Sequence, residues 1–494
     1  VVAAHPLLAR QQGVRGYDYT WAPPPPSLPS PPSPPPLHQT VAGYALMQTI
    51  YGTELADAAG KSVALSADGQ TLAVAARLND GNDHSTQSNR GHVRVYRHNG
   101  THWDRLGGEH DILGASTSTN LGFSVSLSAD GNVVVAGAEY QNRLRVMRWT
   151  GTAWEGMGPN DGAISVASDG FGAEVAISDD GHTVLASARY AGRLYFFRYQ
   201  PGTNEWTQPH PFIQEKFPDP LTSTGNQKNS ASAQWHGYSI ALSGDGKTAV
   251  AGNRGGVTVH LIRVYRLVSE DDDEWTVIGA SLCENFPSLC TLTYHRWLSL
   301  SHDGNTLAIG EYSAAAGGVY RSGQVGVLDY HGAGDASYGD WRLRGGEPIT
   351  GTMMVDEGTA DYVYAGVAAL SADGNTVAVG GHGAHAWQGV VQVFAWSGAT
   401  WDRLTTSYDD GNRGDGATDT LGYSVALSAD GLTLAAGAPY SDGDRGYARV
   451  YRAYYHASPP LLPPPPAPPP ALPSPPPINA LCIEGIWPLF ETLA

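Results

Sequence analysis

Three short clusters of Asp and Gly are the segments of this sequence most suited to binding a cation. They read Asn79-Asp80-Gly81-Asn82-Asp83, Asp409-Asp410-Gly411-Asn412 and Asp442-Gly443-Asp444. Ca²⁺ needs several oxygen ligands from one short loop, so the weak calcium candidates are Asp80, Asp83, Asp410, Asp442 and Asp444. No cluster keeps a full alternation of acids with a closing acid, and Asp-Gly-Asn is ordinary turn chemistry. We predict plain turns and no cofactor, with Ca²⁺ as the alternative.

Other motifs have a plain interpretation beside a functional one. His382 and His385 have the spacing of a metal pair, but no Cys or acid stands at ligand spacing, which favours a loop pair. Arg413-Gly414-Asp415 is an RGD triplet that chance explains in a chain this rich in Gly and Asp. Asn99-Gly100-Thr101 is the N-glycosylation sequon, and it falls on a predicted exposed turn.

Cysteine and chain composition indicate an exported protein. Cys283 and Cys290 lie in one Pro-containing loop, where a local disulfide is expected; Cys482 would be free or pair with another chain. The sequence starts at Val1, which we interpret as a mature form after signal-peptide removal. The net charge of −18 repels nucleic acid and anionic membranes. No stretch is long and apolar enough to span a bilayer.

The sequence lacks the usual signs of an enzyme or a lectin. It has no GxSxG, HExxH or P-loop, and no set of acids or His is evident that would converge on one site. Six of the 13 Trp recur at one position of a repeat, which leaves few aromatic residues for a sugar-binding groove. We therefore expect no catalytic residues and no enzyme activity.

Seven copies of the phrase Ser-x-Asp-Gly set the architecture, because a recurring unit of this length forms one supersecondary element per copy. In the first copy, Ser62–Ser66 and Gln70–Ala76 are strands around an Asp68-Gly69 hairpin turn, and His92–Arg97 and a strand from Trp103 follow. Four antiparallel strands in seven copies predict an all-β, seven-bladed β-propeller.

The seventh copy lacks a fourth strand that begins with Trp. Before the first copy, Met47–Gly52 aligns with Trp103–Gly108, so we expect the N-terminal strand, through Met47 and Ile50, to close the last blade. The two ends of the propeller should then lie side by side, on the face of the Ala-Asp-Gly turns.

The repeats resemble FG-GAP-like β-propeller repeats. The resemblance rests on Leu121–Gly131, Leu421–Gly431 and the third-strand phrases Val93–Arg97, Ile262–Arg266 and Ala448–Arg452, and it spans roughly residues 41–456. It implies the fold, and it implies little about activity because propellers serve many functions.

Two proline runs, Pro23–Pro36 and Pro459–Pro477, flank the repeats and resemble the hydroxyproline-rich glycoproteins of green algae and plants. Such runs adopt polyproline II and would span about 43 and 59 Å. The resemblance implies hydroxylation and O-linked sugars, for which the candidates are Pro24, Pro25, Pro32, Pro35, Pro464, Pro465, Pro469 and Pro476.

Peptides with large apolar residues lie beyond both runs, and we interpret them as plugs that dock on a neighbouring subunit; folding back on their own propeller and disorder are the alternatives. The contacts would come from Trp21, Ile486, Trp487 and Phe490.

The predicted domains are a docking peptide (1–22), an arm (23–40), the propeller (41–458), an arm (459–477) and a second docking peptide (478–494). The sequence thus predicts a secreted structural glycoprotein of a fibre, wall or flagellar appendage, with copies of itself and attached glycans as partners. An adhesin or lectin-like propeller on a stalk is the alternative.

Overall fold

The computed structural model describes residues 41–80, 89–108, 111–209, 212–214, 236–253, 262–269, 274–279, 282–290, 296–312, 314, 321–332, 341–354, 363–405 and 412–455. In these residues the strands are β1 Val41–Tyr51, β2 Ala59–Leu65, β3 Thr71–Ala76, β4 His92–His98, β5 Trp103–Arg105, β6 Ile112–Leu113, β7 Val125–Leu127, β8 Val133–Ala138, β9 Arg143–Trp149, β10 Trp154–Gly156, β11 Ala163–Ser165, β12 Phe171–Ile177, β13 Thr183–Ala188, β14 Arg193–Gln200, β15 Glu205–Thr207, β16 Ile213–Gln214, β17 His236–Leu242, β18 Thr248–Asn253, β19 Ile262–Ser269, β20 Glu274–Ile278, β21 Arg296–Leu300, β22 Thr306–Glu311, β23 Gln324–Tyr330, β24 Trp341–Leu343, β25 Ile349–Thr350, β26 Ala365–Leu370, β27 Thr376–Gly381, β28 Val390–Trp396, β29 Trp401–Arg403, β30 Ser424–Leu427, β31 Thr433–Ala438 and β32 Tyr447–Tyr455.

Helices in the described residues are single turns. The α-helices are α1 Leu282–Asn285, α2 Ala384–Trp387 and α3 Ser441–Asp444. Short 3₁₀ turns cover Glu139–Gln141, Asn160–Gly162, Pro287–Cys290 and Gly351–Met354. None of the helices within these ranges is long and apolar enough to cross a membrane.

The described strands form seven antiparallel sheets, each with a core of four strands. From the axis outward, the blades are β2-β3-β4-β5, β7-β8-β9-β10, β12-β13-β14-β15, β17-β18-β19-β20, β21-β22-β23-β24, β26-β27-β28-β29 and β30-β31-β32-β1. Each innermost strand contacts the innermost strands of the two neighbouring blades, and β30 contacts β2. The chain is therefore a closed seven-bladed β-propeller, as the repeat predicted.

The N-terminal strand closes the seventh blade, as expected. β1 pairs antiparallel with β32 from Val41 opposite Tyr455 to Tyr51 opposite Tyr447. Ile50 is buried against the first blade, whereas Met47 lies at a register shift and is 38% exposed. The buried anchor that the sequence analysis missed is Tyr44, which is 2% exposed and donates its hydroxyl to the carbonyl of Gly431 in the seventh Asp-Gly turn. The two ends of the propeller thus meet on the face of those turns.

The Ser-x-Asp-Gly phrase forms the same hydrogen-bonded turn in every blade. In the first copy, the Ser66 hydroxyl donates to Asp68 at 2.6 Å, Asp68 accepts the backbone N–H of Gln70, and Ser66 accepts that of Thr71. The Ser-to-Asp bond recurs in the other six copies. These local side-chain bonds satisfy backbone groups that a tight turn would leave unpaired, which explains the fixed residue types.

The turns of different blades are also joined into a ring of backbone hydrogen bonds. Ala67 N–H donates to Ala129, and the chain of bonds continues around the axis until Ala429 N–H donates to Ala67 at 2.9 Å. Between the fourth and fifth blades the donor is Asp245 N–H, one residue later than elsewhere, and it bonds the carbonyl of His302. This ring joins all seven blades at one mouth of the channel.

The recurring fourth-strand Trp packs across its own hairpin. In five blades its ring contacts the aromatic residue directly opposite in a tilted arrangement, with ring centroids 5.2–5.5 Å apart, in the pairs His98–Trp103, Trp149–Trp154, Tyr199–Trp206, Tyr330–Trp341 and Trp396–Trp401. Trp275 differs, because it stacks on Phe196 of the preceding blade at 4.1 Å. Aromatic pairs of this kind stabilise a hairpin and fix its register.

A buried histidine makes the stability of the propeller depend on pH. Burial lowers the pKa of His236 to about 3, helped by Arg263, and a ring nitrogen of His236 lies 3.1 Å from the Tyr265 hydroxyl. The unfolded chain takes up this proton near pH 6.5, so the stabilisation is present above that pH and is lost as the pH falls from 6.5 towards 3. We expect His236→Gln to reduce the slope of unfolding free energy by up to about 1.4 kcal/mol per pH unit in urea titrations between pH 4.5 and 6.5. The control is the same substitution at the exposed His102, His102→Gln. Equal slopes of unfolding free energy against pH in wild type and His236→Gln would contradict the assignment.

Candidate functional site

Bulges near the start of the innermost strands turn side chains towards the axis. The pairing of β2, β12 and β17 with its neighbour shifts register after Ala59, Phe171 and His236. A glycine with φ of +82 to +83° stands at each shift, namely Gly60, Gly172 and Gly237. A bulge inserts an extra residue and re-aims the side chain beside it, and a positive φ favours glycine there. These shifts occur at the mouth of the channel opposite the Asp-Gly turns.

Lys61, Glu174 and Tyr238, which lie one or two residues after these glycines, line a cavity at that mouth, which we call the axial cavity. Its volume is about 220 Å³. Six of its lining residues come one from each of six blades, and they are Lys61, Phe123, Glu174, Tyr238, Trp297 and Tyr423. Arg189, at the end of β13, and the hydroxyl-bearing Ser62, Ser239 and Ser424 complete the wall. The cavity thus combines aromatic rings with charged groups of both signs.

Lys61 and Tyr423 form one side of the axial cavity. The Lys61 ammonium donates a hydrogen bond to the Tyr423 hydroxyl and lies 4.0 Å from the centroid of the Tyr423 ring. Burial lowers the pKa of Lys61 to about 8; Arg77 and Arg189 add to this, while Tyr440 and Glu174 oppose it. Lys61 is therefore a desolvated cation that still carries its proton at neutral pH.

Glu174 is the acid of the axial cavity. Burial raises the pKa of Glu174 to about 7, although Arg189, Lys61 and a hydrogen bond with Ser124 favour the charged form. A carboxyl with such a pKa exists in both protonation states near neutral pH, so it can donate or accept a hydrogen bond there.

Arg189 is held by an ion pair and by aromatic rings. Its guanidinium lies 2.6 Å from the Glu139 carboxylate, and both side chains are mostly buried. It also lies 4.9 Å from the Phe123 ring and 5.2 Å from the Tyr238 ring. Burial raises the pKa of Glu139, with Arg189 opposing. Because Arg189 is bound by Glu139, its charge is already balanced inside the protein.

A second aromatic group continues from the axial cavity across the same face. His382 stacks on Tyr364 with centroids 5.6 Å apart, and lies 5.6 Å from Tyr423 and 6.0 Å from Trp387. His382 thus packs among aromatic rings. No group of three or more His, Cys, Asp or Glu side chains that could hold a metal ion occurs in the part of the chain that the structure describes.

Two features of this cavity were not anticipated from the sequence. One acid, Glu174, lies at the axial mouth together with Lys61 and Arg189, and aromatic residues other than the fourth-strand Trp line the cavity. Sequence reasoning missed both because the residues come from different blades. The signal was present as Gly followed by an aromatic residue and Ser near the start of the innermost strand, at Gly122-Phe123, Gly237-Tyr238 and Gly422-Tyr423.

The other predicted residues lie away from this cavity. Cys283 and Cys290 form the expected disulfide, with Cα atoms 5.5 Å apart. Asn99 is exposed on the hairpin turn before β5, where its side chain accepts the backbone N–H of Thr101. Asp80 accepts the N–H of Asn89, and Asp442 faces Arg445 at 3.4 Å. Asp444 is exposed in α3.

The RGD triplet is part of the propeller wall. Arg413 donates to Gln388, and Asp415 pairs with the buried guanidinium of Arg449. The remaining predicted sites lie outside the described residues, and they are Asp83, Asp410, Cys482, the proline candidates and the contact residues Trp21, Ile486, Trp487 and Phe490.

Blade seven differs from the other blades at its outer edge. β1 has 11 residues, whereas β20 is the longest of the other fourth strands with five residues, and the remaining fourth strands have three each. Large apolar side chains with at least 38% exposure gather on or beside β1 and β32, namely Leu46, Met47, Tyr51, Leu55, Tyr454 and Tyr455. We call these six residues the blade-seven patch. An exposed, long, apolar edge strand is a common site of association between chains.

Comparison with known proteins gives only distant structural similarities. No protein-family model and no curated protein sequence matches the chain. Among solved structures, hydrazine synthase of Kuenenia stuttgartiensis is 14% identical, with a TM-score of 0.48 over 82% of this chain and 97% of that chain. The Cps50 (Swd1) β-propeller domain of Myceliophteria thermophila is 12% identical, with a TM-score of 0.48 over 83% of this chain and 100% of that one. A 6-phosphogluconolactonase-like protein of Bacteroides uniformis is 14% identical, with a TM-score of 0.46 over 79% and 93%.

Proposed function

We propose that this protein is a non-enzymatic structural subunit of an extracellular glycoprotein fibre or wall, in which propellers are linked through proline-rich arms. The observation that carries the proposal is the pairing of Val41 with Tyr455, which starts both flanking segments from one point of blade seven. Two stiff rods that leave together can hold neighbouring propellers in a fixed geometry. Polyproline II loses little conformational entropy on docking, which favours ordered assembly.

The finer features of the proposal come from the sequence. The repeats would be of the FG-GAP-like type, and the proline runs would be hydroxylated and glycosylated as in hydroxyproline-rich glycoproteins. The terminal peptides, through Trp21, Ile486, Trp487 and Phe490, would dock on another copy of the chain. Four residues of the blade-seven patch support this, because Leu46, Met47, Tyr454 and Tyr455 supply exposed apolar side chains on the part of β1 and β32 towards the Val41–Tyr455 end.

Removing residues 459–494 tests the proposal. We expect the full secreted chain to form filaments visible by electron microscopy, and the truncated chain to remain as single propellers of unchanged thermal stability. A second variant, Leu46→Lys with Met47→Lys, should also prevent filaments, because it places two charges on the blade-seven patch. The matched control is Val268→Lys, since Val268 is 57% exposed and lies on the fourth blade. Unaltered filaments from the truncated chain would rule the proposal out.

A further inference from the structure

The size of the axial cavity suits a ligand of about one ring. Its volume of about 220 Å³ lies below the roughly 300–1,000 Å³ of pockets for drug-sized ligands. The wall is half apolar, from Phe123, Tyr238 and Trp297, and half polar, from Lys61, Glu174 and the serines. A small molecule with an apolar ring face and several hydroxyl groups matches such a wall.

The charges around the axial cavity favour a negatively charged group on that molecule. The cations are Lys61, Arg77 and Arg189, and the acids are Glu139 and Glu174. Glu139 pairs with Arg189, whereas the Lys61 ammonium lines the cavity and donates its hydrogen bond to the neutral phenol of Tyr423. A carboxylate on the ligand would form a charge-assisted hydrogen bond with the Lys61 ammonium in a partly desolvated place, where such bonds are strong.

We propose that the axial cavity binds one acidic sugar unit, a uronic acid, with its carboxylate on Lys61 and its ring against Phe123, Tyr238 and Trp297. Glu174 and the cavity serines bond the ring hydroxyls. A neutral sugar would supply no carboxylate to the Lys61 ammonium, and an amino sugar would place a further cation beside Lys61 and Arg77. Inorganic phosphate has no apolar ring face to pack against the three aromatic side chains. The net charge of −18 acts weakly here, because salt screens distant charges beyond about 8 Å.

Binding of glucuronate to the full chain tests this inference directly. Calorimetry and Trp fluorescence should detect saturable binding of glucuronate or galacturonate. Binding of glucose, galactose and acetate should be at least about tenfold weaker, because the two neutral sugars lack the carboxylate and acetate lacks the sugar ring. Equal binding of the neutral sugars, equal binding of acetate, or no saturable binding of either uronate would overturn the proposal. None of these outcomes bears on filament formation, which tests the structural role separately.

Two variants distinguish the assigned contacts from a change in folding. Lys61→Met should weaken glucuronate binding about tenfold or more, because it removes the charge and keeps the chain length. The control is Lys247→Met, since Lys247 is exposed beside an Asp-Gly turn at the opposite mouth. Glu174→Gln should instead tighten glucuronate binding at pH 8, because it removes an acid near the ligand carboxylate. A loss of binding in Lys247→Met, or no change in Lys61→Met, would contradict the assignment.

The pH dependence gives an independent test. Lys61 faces Tyr423, Tyr440, Arg77, Arg189 and Glu174, and Glu174 faces Arg189, Glu139 and Lys61. As the pH rises through 7 Glu174 gains its negative charge, and as it rises through 8 Lys61 loses its positive charge. Both changes disfavour a bound carboxylate, so glucuronate should bind most tightly below pH 7 and progressively more weakly from pH 7 to 9. Affinity that stays constant or rises over this range would overturn the proposal.

Discussion

Replacing Tyr44 by alanine should lower the unfolding free energy of the propeller by about 3–5 kcal/mol. Tyr44 is 2% exposed and packs in a buried cluster with Leu434 and Tyr451. It also donates its hydroxyl to the carbonyl of Gly431. Because it lies on β1, its packing is part of what holds the N-terminal strand to blade seven. Loss of this side chain leaves a cavity at the seam where the ring closes.

Urea unfolding followed by circular dichroism measures this effect. The matched control is Tyr455→Ala, because Tyr455 lies on the paired strand β32 opposite Val41 and is 39% exposed. Its substitution should cost less than about 1 kcal/mol, as surface changes usually do. If Tyr44→Ala cost no more than Tyr455→Ala, β1 would not contribute to closure in solution.

The second large effect is expected from Gly131→Ala in the Asp-Gly turn of the second blade. Gly131 has a φ of +66°, and a Cβ there would lie 2.5 Å from the Cβ of Thr71 in the neighbouring blade. The left-handed backbone costs about 1–2 kcal/mol for an alanine. Overpacking against Thr71 adds about 1–3 kcal/mol. We therefore expect a loss of about 2–5 kcal/mol in unfolding free energy.

Gly398→Ala separates the two contributions. Gly398 has a φ of +96°, and no atom lies within 4 Å of the position its Cβ would take. This variant should therefore cost only the backbone strain of about 1–2 kcal/mol. Parallel thermal and urea denaturation of both variants measures the difference, which is the contribution of the contact between neighbouring blades. Equal losses would mean that the Asp-Gly turn does not restrict the approach of the two blades.

Local sequence was sufficient to predict the architecture because each repeat contains the residues that define its own hairpin turn. The Ser66–Thr71 segment makes its side-chain bonds within six residues, so the turn can be predicted from residue types alone. The closing strand could also be found by alignment, since Ile50 occupies the position of Leu106 in the repeat. Its length and the burial of Tyr44 were missed, because no other blade has a fourth strand that reaches as far as β1.

The pattern of residue types, by itself, determined the seven-bladed propeller, its closure by the N-terminal strand and the local disulfide. The blades depend on hydrogen bonds within each repeat, the closure depends on two strands that can be recognised by alignment, and the disulfide depends on the short spacing of its cysteines. Only the tertiary structure decided which side chains meet at the axis. Lys61, Glu174 and Trp297 belong to three blades, far apart in the sequence, and they line one cavity because the propeller brings every innermost strand to the same channel. The lowered pKa of Lys61 and the raised pKa of Glu174 follow from burial at that meeting point, which no single repeat contains.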